Sequence, residues 1–200
     1  MDEISEKALE TSVSLVVQPF AGVVQDAIGL AGGDWLSEMR TRNRKKLEEK
    51  TKRICEERGV EQLDEPNPTT IAPIITAAQD ESREELQDIW AKLLAAALDP
   101  GRNRRFRREF TESVKRFEPS DALVLIELDR ENVHGTHANH VKAISLRTGL
   151  SHNQIAVSFR NLINCGCFMR SPGVEGQQFP IHGVFVSPLG HELLEVVLCH

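Results

Sequence analysis

Apolar residues recur at helical spacing along most of this chain, and the clearest run lies near its middle. Leu86, Ile89, Trp90, Leu93, Leu94, Ala97 and Leu98 stand at i, i+3, i+4, i+7, i+8, i+11 and i+12, which predicts one buried helical face. Asp80 or Ser82 is placed to cap that helix, Glu81, Glu84 and Glu85 suit its positive end, and Asp99-Pro100-Gly101 stops it. Upstream, Ile71, Ile74, Ile75 and Ala78 predict a shorter helix with Pro73 in its first turn. The two make a helical hairpin centred on Trp90.

Residues 8–33 are mostly apolar. Val13, Val16, Val17, Phe20, Val24 and Ile28 follow a helical stripe, interrupted by Glu10, Gln18, Gln25, Asp26 and by Pro19. No uninterrupted apolar run reaches the length of a membrane span. Two readings stand: a helix kinked at Pro19 that packs on the hairpin, or a segment that meets a membrane through this stripe when the protein is triggered. Gly32-Gly33 ends the segment, and Asp34 opens a helix through Arg58 whose apolar positions (Trp35, Leu36, Met39, Leu47, Ile54) are thin. Its basic run from Arg40 to Lys46 is balanced by Glu48, Glu49, Glu56 and Glu57 and reads as a solvated face.

After the hairpin come five arginines, Arg102, Arg104, Arg105, Arg107 and Arg108, set around Phe106. Phe106, Phe110, Val114 and Phe117 predict one continuous helix with an aromatic face. Basic charge at a helix start opposes the dipole, so the cluster asks for a reason. Arginine forks suit phosphate groups or a nucleic-acid backbone, but pairing with acidic helix faces in the fold or across an oligomer is the better expectation.

From residue 120 the pattern changes. A helix capped by Ser120 runs to Arg130 with Leu123, Ile126 and Leu128 inward, and a polar loop follows. A second helix runs from His140 to Thr148 and ends at Gly149. Ser151 caps a third, with Ile155, Phe159, Leu162 and Ile163 on one face. Residues 167–170 and 178–187 read as strands around a turn, and Pro188 opens a last helix. This order, with ISLRTGLS at the turn and VSPLGHELL after the second strand, is similar to the winged-helix family. The third helix would then present His152, Asn153, Gln154, Ser158, Arg160 and Asn161. Asn153 and Gln154 suit adenine and Arg160 suits guanine. Residues 120–200 nevertheless carry 5 basic against 7 acidic side chains, so a protein-contact or dimerisation module is the better expectation.

Composition narrows the chemistry. The formal net charge is −6 and the pI about 5.7, which argues against indiscriminate nucleic-acid binding. Tyrosine is absent, so a base-stacking platform is not expected. Four cysteines without a signal peptide point to free thiols in the cytoplasm. His134, His137 and His140 with Cys165 and Cys167 lack the pair spacing of a zinc site, so no metal and no cofactor are expected. No P-loop, nucleophile elbow, HExxH or dinucleotide fingerprint occurs, and an enzyme is not expected.

The stretches PNPTTIAPIITAAQDESREELQDIWAKLLAAALD and FRREFTESVKRFEPSDALVL carry a further likeness. A Pro-rich entry, a short apolar helix, an acidic turn, the long helix and the FEPSDA step resemble the abortive-infection alpha family of bacterial phage-defence proteins. The resemblance implies a mainly α fold and a role in phage defence, and it brings no active-site motif. The expected protein is a helical domain over residues 1–119, with residues 1–33 as its apolar N-terminal segment. A winged helix-turn-helix with a small antiparallel wing follows over residues 120–200. It would act by contact with a protein partner or a second copy, and on the membrane once activated. The alternative is a DNA-binding transcriptional regulator that uses Asn153, Gln154 and Arg160 with the arginine cluster as a phosphate clamp.

Overall fold

The computed structural model describes residues 34–60, 67–130, 138–170 and 183–198, and the chain divides into two compact units, residues 1–42 and 43–200. Of the first unit the description covers the opening of helix α1 (Asp34–Glu57). There Trp35 is about half exposed and the Thr41 hydroxyl donates to the Ser37 carbonyl (2.9 Å). The apolar stripe Val13, Val16, Val17, Phe20, Val24 and Ile28 lies outside the described residues.

The second unit is mainly helical. After the second half of α1 come α2 (Pro68–Gln79), α3 (Glu84–Leu98), a 3-10 turn (Asn103–Arg105), α4 (Arg108–Val114) and α5 (Pro119–Arg130). Then follow α6 (Ala138–Thr148), α7 (His152–Asn164), β1 (Phe168–Arg170), β2 (Val184–Val186) and α8 (Pro188–Val197). β1 and β2 pair antiparallel, with Phe168 opposite Val186 and Met169 opposite Phe185.

Helix α3 is the core of this unit. The predicted stripe is buried from Leu86 to Leu94, but Gln87, Ala91, Ala95 and Ala96 are buried too, while Ala97 and Leu98 are only half so. The helix is enclosed because α2, α4, α5 and α8 all pack on it. The three alanines let neighbouring backbones approach closely at low side-chain entropy cost. Its start is not capped by Asp80 or Ser82. Asp80 closes α2, and the Glu81 carboxylate instead accepts from the Arg83 backbone N–H (2.8 Å). Pro68 rather than Pro73 occupies the first position of α2, behind an Asn67 cap, and Pro73 sits inside that helix.

The region after α3 departs from expectation. One continuous helix with an aromatic face was predicted; the chain forms a 3-10 turn, an extended Phe106-Arg107 step and a seven-residue helix. The Asp99 carbonyl accepts from Arg102 N and Asn103 N, and the bonds from Arg105 N to the Arg102 carbonyl and from Phe106 N to the Asn103 carbonyl continue the chain as a 3-10 turn. The aromatic residues still converge, with Phe110 and Phe117 buried and Phe106 set edge-on to Phe110 at 5.8 Å. In α5 the buried apolar positions are Ala122, Val124, Leu125 and Leu128; Leu123 and Ile126 are only half-buried. Ser120 is not its cap either, because Pro119 opens the helix and the Asp121 carboxylate accepts from Glu118 N (2.7 Å). Ser151 caps α7 as predicted, and Gln154, expected on the reading face, completes a reciprocal capping box with it. Gly149 ends α6 at φ 73°, a backbone state that glycine enters without strain.

Candidate functional site

The predicted arginine cluster divides into two sets. Arg102 and Arg105 turn toward α8. Arg102 Nη1 donates to the Glu195 carbonyl (2.8 Å), and Arg105 pairs with the carboxylates of Glu192 and Glu195. Arg58, just beyond α1, donates from Nη2 to the Val196 carbonyl (3.2 Å). The last carbonyls of a helix lack partners within it and sit at the negative end of its dipole. Arg58 and Arg102, from two distant segments, therefore cap α8, and Arg105 holds its acidic side chains beside them. Of the two readings of the arginine cluster, pairing with an acidic helix face describes Arg105, whose partners Glu192 and Glu195 are one helical turn apart.

Arg104, Arg107 and Arg108 form the second set. All three are exposed, and none makes an ion pair among the described residues. Arg108 also lines an open cleft with Phe106, Thr111 and the start of α2. Exposure to water and salt screens the charge repulsion within this group.

The predicted reading face of α7 is smaller than the sequence implied. Ser158 is fully buried and its hydroxyl donates to the Ser120 hydroxyl (2.9 Å). Asn161 donates to the Arg116 carbonyl (2.8 Å) and to the Asp121 carboxylate (2.6 Å). Gln154 is exposed but held in the capping box, accepting from Ser151 N at 2.9 Å. The solvent face therefore runs through Asn153, Val157, Arg160 and Asn164, at i, i+4, i+7 and i+11, with His152 at its start. Its centre is apolar.

A network ties α1, α2 and α3 together. Asn43 Nδ2 donates to the Gln79 carbonyl (2.9 Å), and Gln87 Nε2 donates to the Glu81 carbonyl (2.7 Å) and to Asn43 Oδ1 (3.3 Å). Arg83 closes the α2–α3 turn on Glu81 and reaches the Glu118 carboxylate before α5. Burial alone would raise the Glu81 carboxyl, but the Arg83 side-chain and backbone donors hold it below its ordinary value.

Cys165 and Cys167 are buried free thiols, and burial pushes Cys167 up to about 12. His134 and His137 lie outside the described residues; His140 is half-buried in α6. Among the described residues no cluster of His, Cys, Asp and Glu could hold a metal ion, and no helix is long and apolar enough to cross a membrane.

These features define a mainly helical protein in which a buried central helix carries a charged turn, a helix pair and a two-stranded sheet. The family model for abortive infection alpha matches residues 42–179, and the chain belongs to that family. Membership points to phage defence by abortive infection. No curated protein and no solved structure matches the chain.

Proposed function

We propose that this protein is a non-enzymatic anti-phage effector that works through protein contacts, with residues 120–200 as a winged-helix contact module. The observation that carries the phage-defence part is the family match over residues 42–179. The contact reading draws support from the apolar centre of the α7 face and from the element order α5-α6-α7-β1-β2-α8 with an antiparallel strand pair. In this reading the division at residue 119 is one of role, within a unit of residues 43–200 in which α8 and α5 both pack on α3. In the same reading the apolar stripe from Val13 to Ile28 reaches the membrane after activation, leaving the protein in the cytoplasm beforehand.

The test is growth of bacteria expressing the chain during phage infection. Survival at a low phage-to-cell ratio with collapse at a high ratio is the expected result. Lack of protection across a broad phage panel would count against it. Replacing Val16 and Val24 with aspartate in the full chain should abolish the collapse and leave helix content unchanged by circular dichroism. Undiminished collapse would remove the membrane step.

A second reading, a DNA-binding regulator, is favoured by the exposed arginines Arg104, Arg107 and Arg108 together with Asn153 and Arg160. Binding through phosphate contacts falls steeply with salt, so a mobility-shift series across ionic strength separates the two.

A further inference from the structure

Residues 132–174 contain no aspartate or glutamate and four cations, Lys142, Arg147, Arg160 and Arg170. All 30 acidic residues of the chain lie elsewhere, against the other 20 of its 24 basic ones. Averaging over residues 120–200 hides this island, because the acids there flank it. Within the island, Arg147 pairs with Glu127 of α5, while Lys142, Arg160 and Arg170 are exposed.

Apolar exposure falls in the same place. Among the described residues four large hydrophobic side chains are exposed, and three of them are Leu146 (77%), Val157 (68%) and Met169 (39%). They stand on α6, α7 and β1, and α7 packs against both of the others. Each is close in sequence to a cation: Leu146 one turn after Lys142, Val157 three residues before Arg160, Met169 next to Arg170. Solvent-exposed apolar side chains of this size have a transfer cost that a bound partner would relieve.

We propose that Lys142, Leu146, Val157, Arg160, Met169 and Arg170, exposed on α6, α7 and β1, together make a docking surface for an acidic, amphipathic helix of a partner protein. Charge complementarity selects the acid, since the face carries cations with no carboxylate within its stretch of chain. The apolar residues select an apolar stripe beside it, laid across α7 at helical spacing. A DNA backbone would use the cations but leave Leu146 and Met169 without function, and Gln154, Ser158 and Asn161 are already committed to internal bonds. The proposal rests on the reading of residues 120–200 as a contact module. It is measured on purified protein, so its outcome is independent of whether cells are protected from phage.

The experiment is fluorescence anisotropy of the full chain with a labelled helical peptide carrying leucines at i, i+3, i+4 and i+7 and glutamates on the flanks of that stripe. Controls are the same composition with the leucines scrambled, a duplex DNA, and vesicles of phosphatidylglycerol. Binding of the patterned peptide is expected, weakened roughly tenfold by Val157→Ser, as loss of a buried valine implies. Arg160→Glu should weaken it at least as much, and added salt should weaken the wild-type chain more than this variant. Both positions are exposed, so folding is retained, and unchanged circular dichroism checks it. Absence of binding, equal binding of the scrambled peptide, or indifference to both substitutions would overturn the proposal. Tighter binding of DNA or of vesicles than of the peptide would overturn it as well, and would assign the face to a phosphate-bearing surface.

Discussion

At the residue scale the tightest constraint is Gly190, in the first turn of α8. A Cβ there would lie 2.1 Å from the Cys167 carbonyl oxygen and 2.8 Å from Val186 Cγ1. The first of these is backbone and cannot swing aside, so Gly190→Ala must push α8 off the start of the strand pair. A cost of about 3 kcal/mol follows from overpacking of this kind, and the urea midpoint measures it. Cys167 makes a second residue-scale prediction. Its thiol is fully buried and, through burial, ionises only near pH 12. Native protein at pH 8 should therefore leave Cys167 unalkylated, and urea should expose it. Because the folded state favours the neutral thiol, its contribution to stability is full below the ordinary thiol pKa and is lost as pH rises toward 12.

At the element scale, two helix ends show how differently caps advertise themselves. The α7 cap is local: Ser151 and Gln154 are three residues apart, and the pattern is readable in the sequence. Ser151→Ala should cost about 1 kcal/mol by thermal or urea unfolding. The α8 cap is non-local, since its donors come from Arg58 and Arg102, 138 and 93 residues from the carbonyls they meet. No periodicity reports such a partner. Arg102→Met keeps the aliphatic stem and removes the donor, and faster amide exchange at the last turn of α8 is the expected result. The same contrast explains which elements were legible. The α2–α3 hairpin, α7 and the strand pair follow from apolar spacing and turn residues. The break at Phe106 does not, because Phe106, Phe110, Val114 and Phe117 satisfy a helical period while the turn set by Asp99 overrides it. The inward face of α5 was misread for a related reason: it is apolar on nearly every side, and only its neighbours α3, α6 and α7 decide which positions are buried.

The candidate site was less legible than the fold. Whole-segment charge counts hide the acid-free island around α7, and the burial of Ser158 and the internal bonds of Asn161 depend on α5 and the segment before it, which no spacing rule specifies. At the scale of the whole molecule the decisive feature is that residues 43–200 share one core through α3. The links that cross from the helical half to the C-terminal half are chemically distinct: the Arg58–Arg102–Arg105 clamp on α8, the Asn161 amide to the Arg116 carbonyl, and the Ser113 hydroxyl to the Cys165 carbonyl (2.8 Å). Two modules that fold independently would give two transitions. A shared core gives one. With Trp35→Phe, fluorescence reports only Trp90, which is buried in α3. Its urea transition should coincide with the loss of helix by circular dichroism, and a separated lower transition in the helix signal would assign the C-terminal half its own stability. Acid should act on this same unit. Glu81, opposed by burial but held down by Arg83, and Glu84, held down by Lys50, both have depressed carboxyls. Their contribution is present above the ordinary carboxylate range and disappears as pH falls through their lowered values. Glu81→Gln should therefore flatten the acid limb of the stability profile while leaving the single transition intact, because the core that makes it single does not depend on that charge.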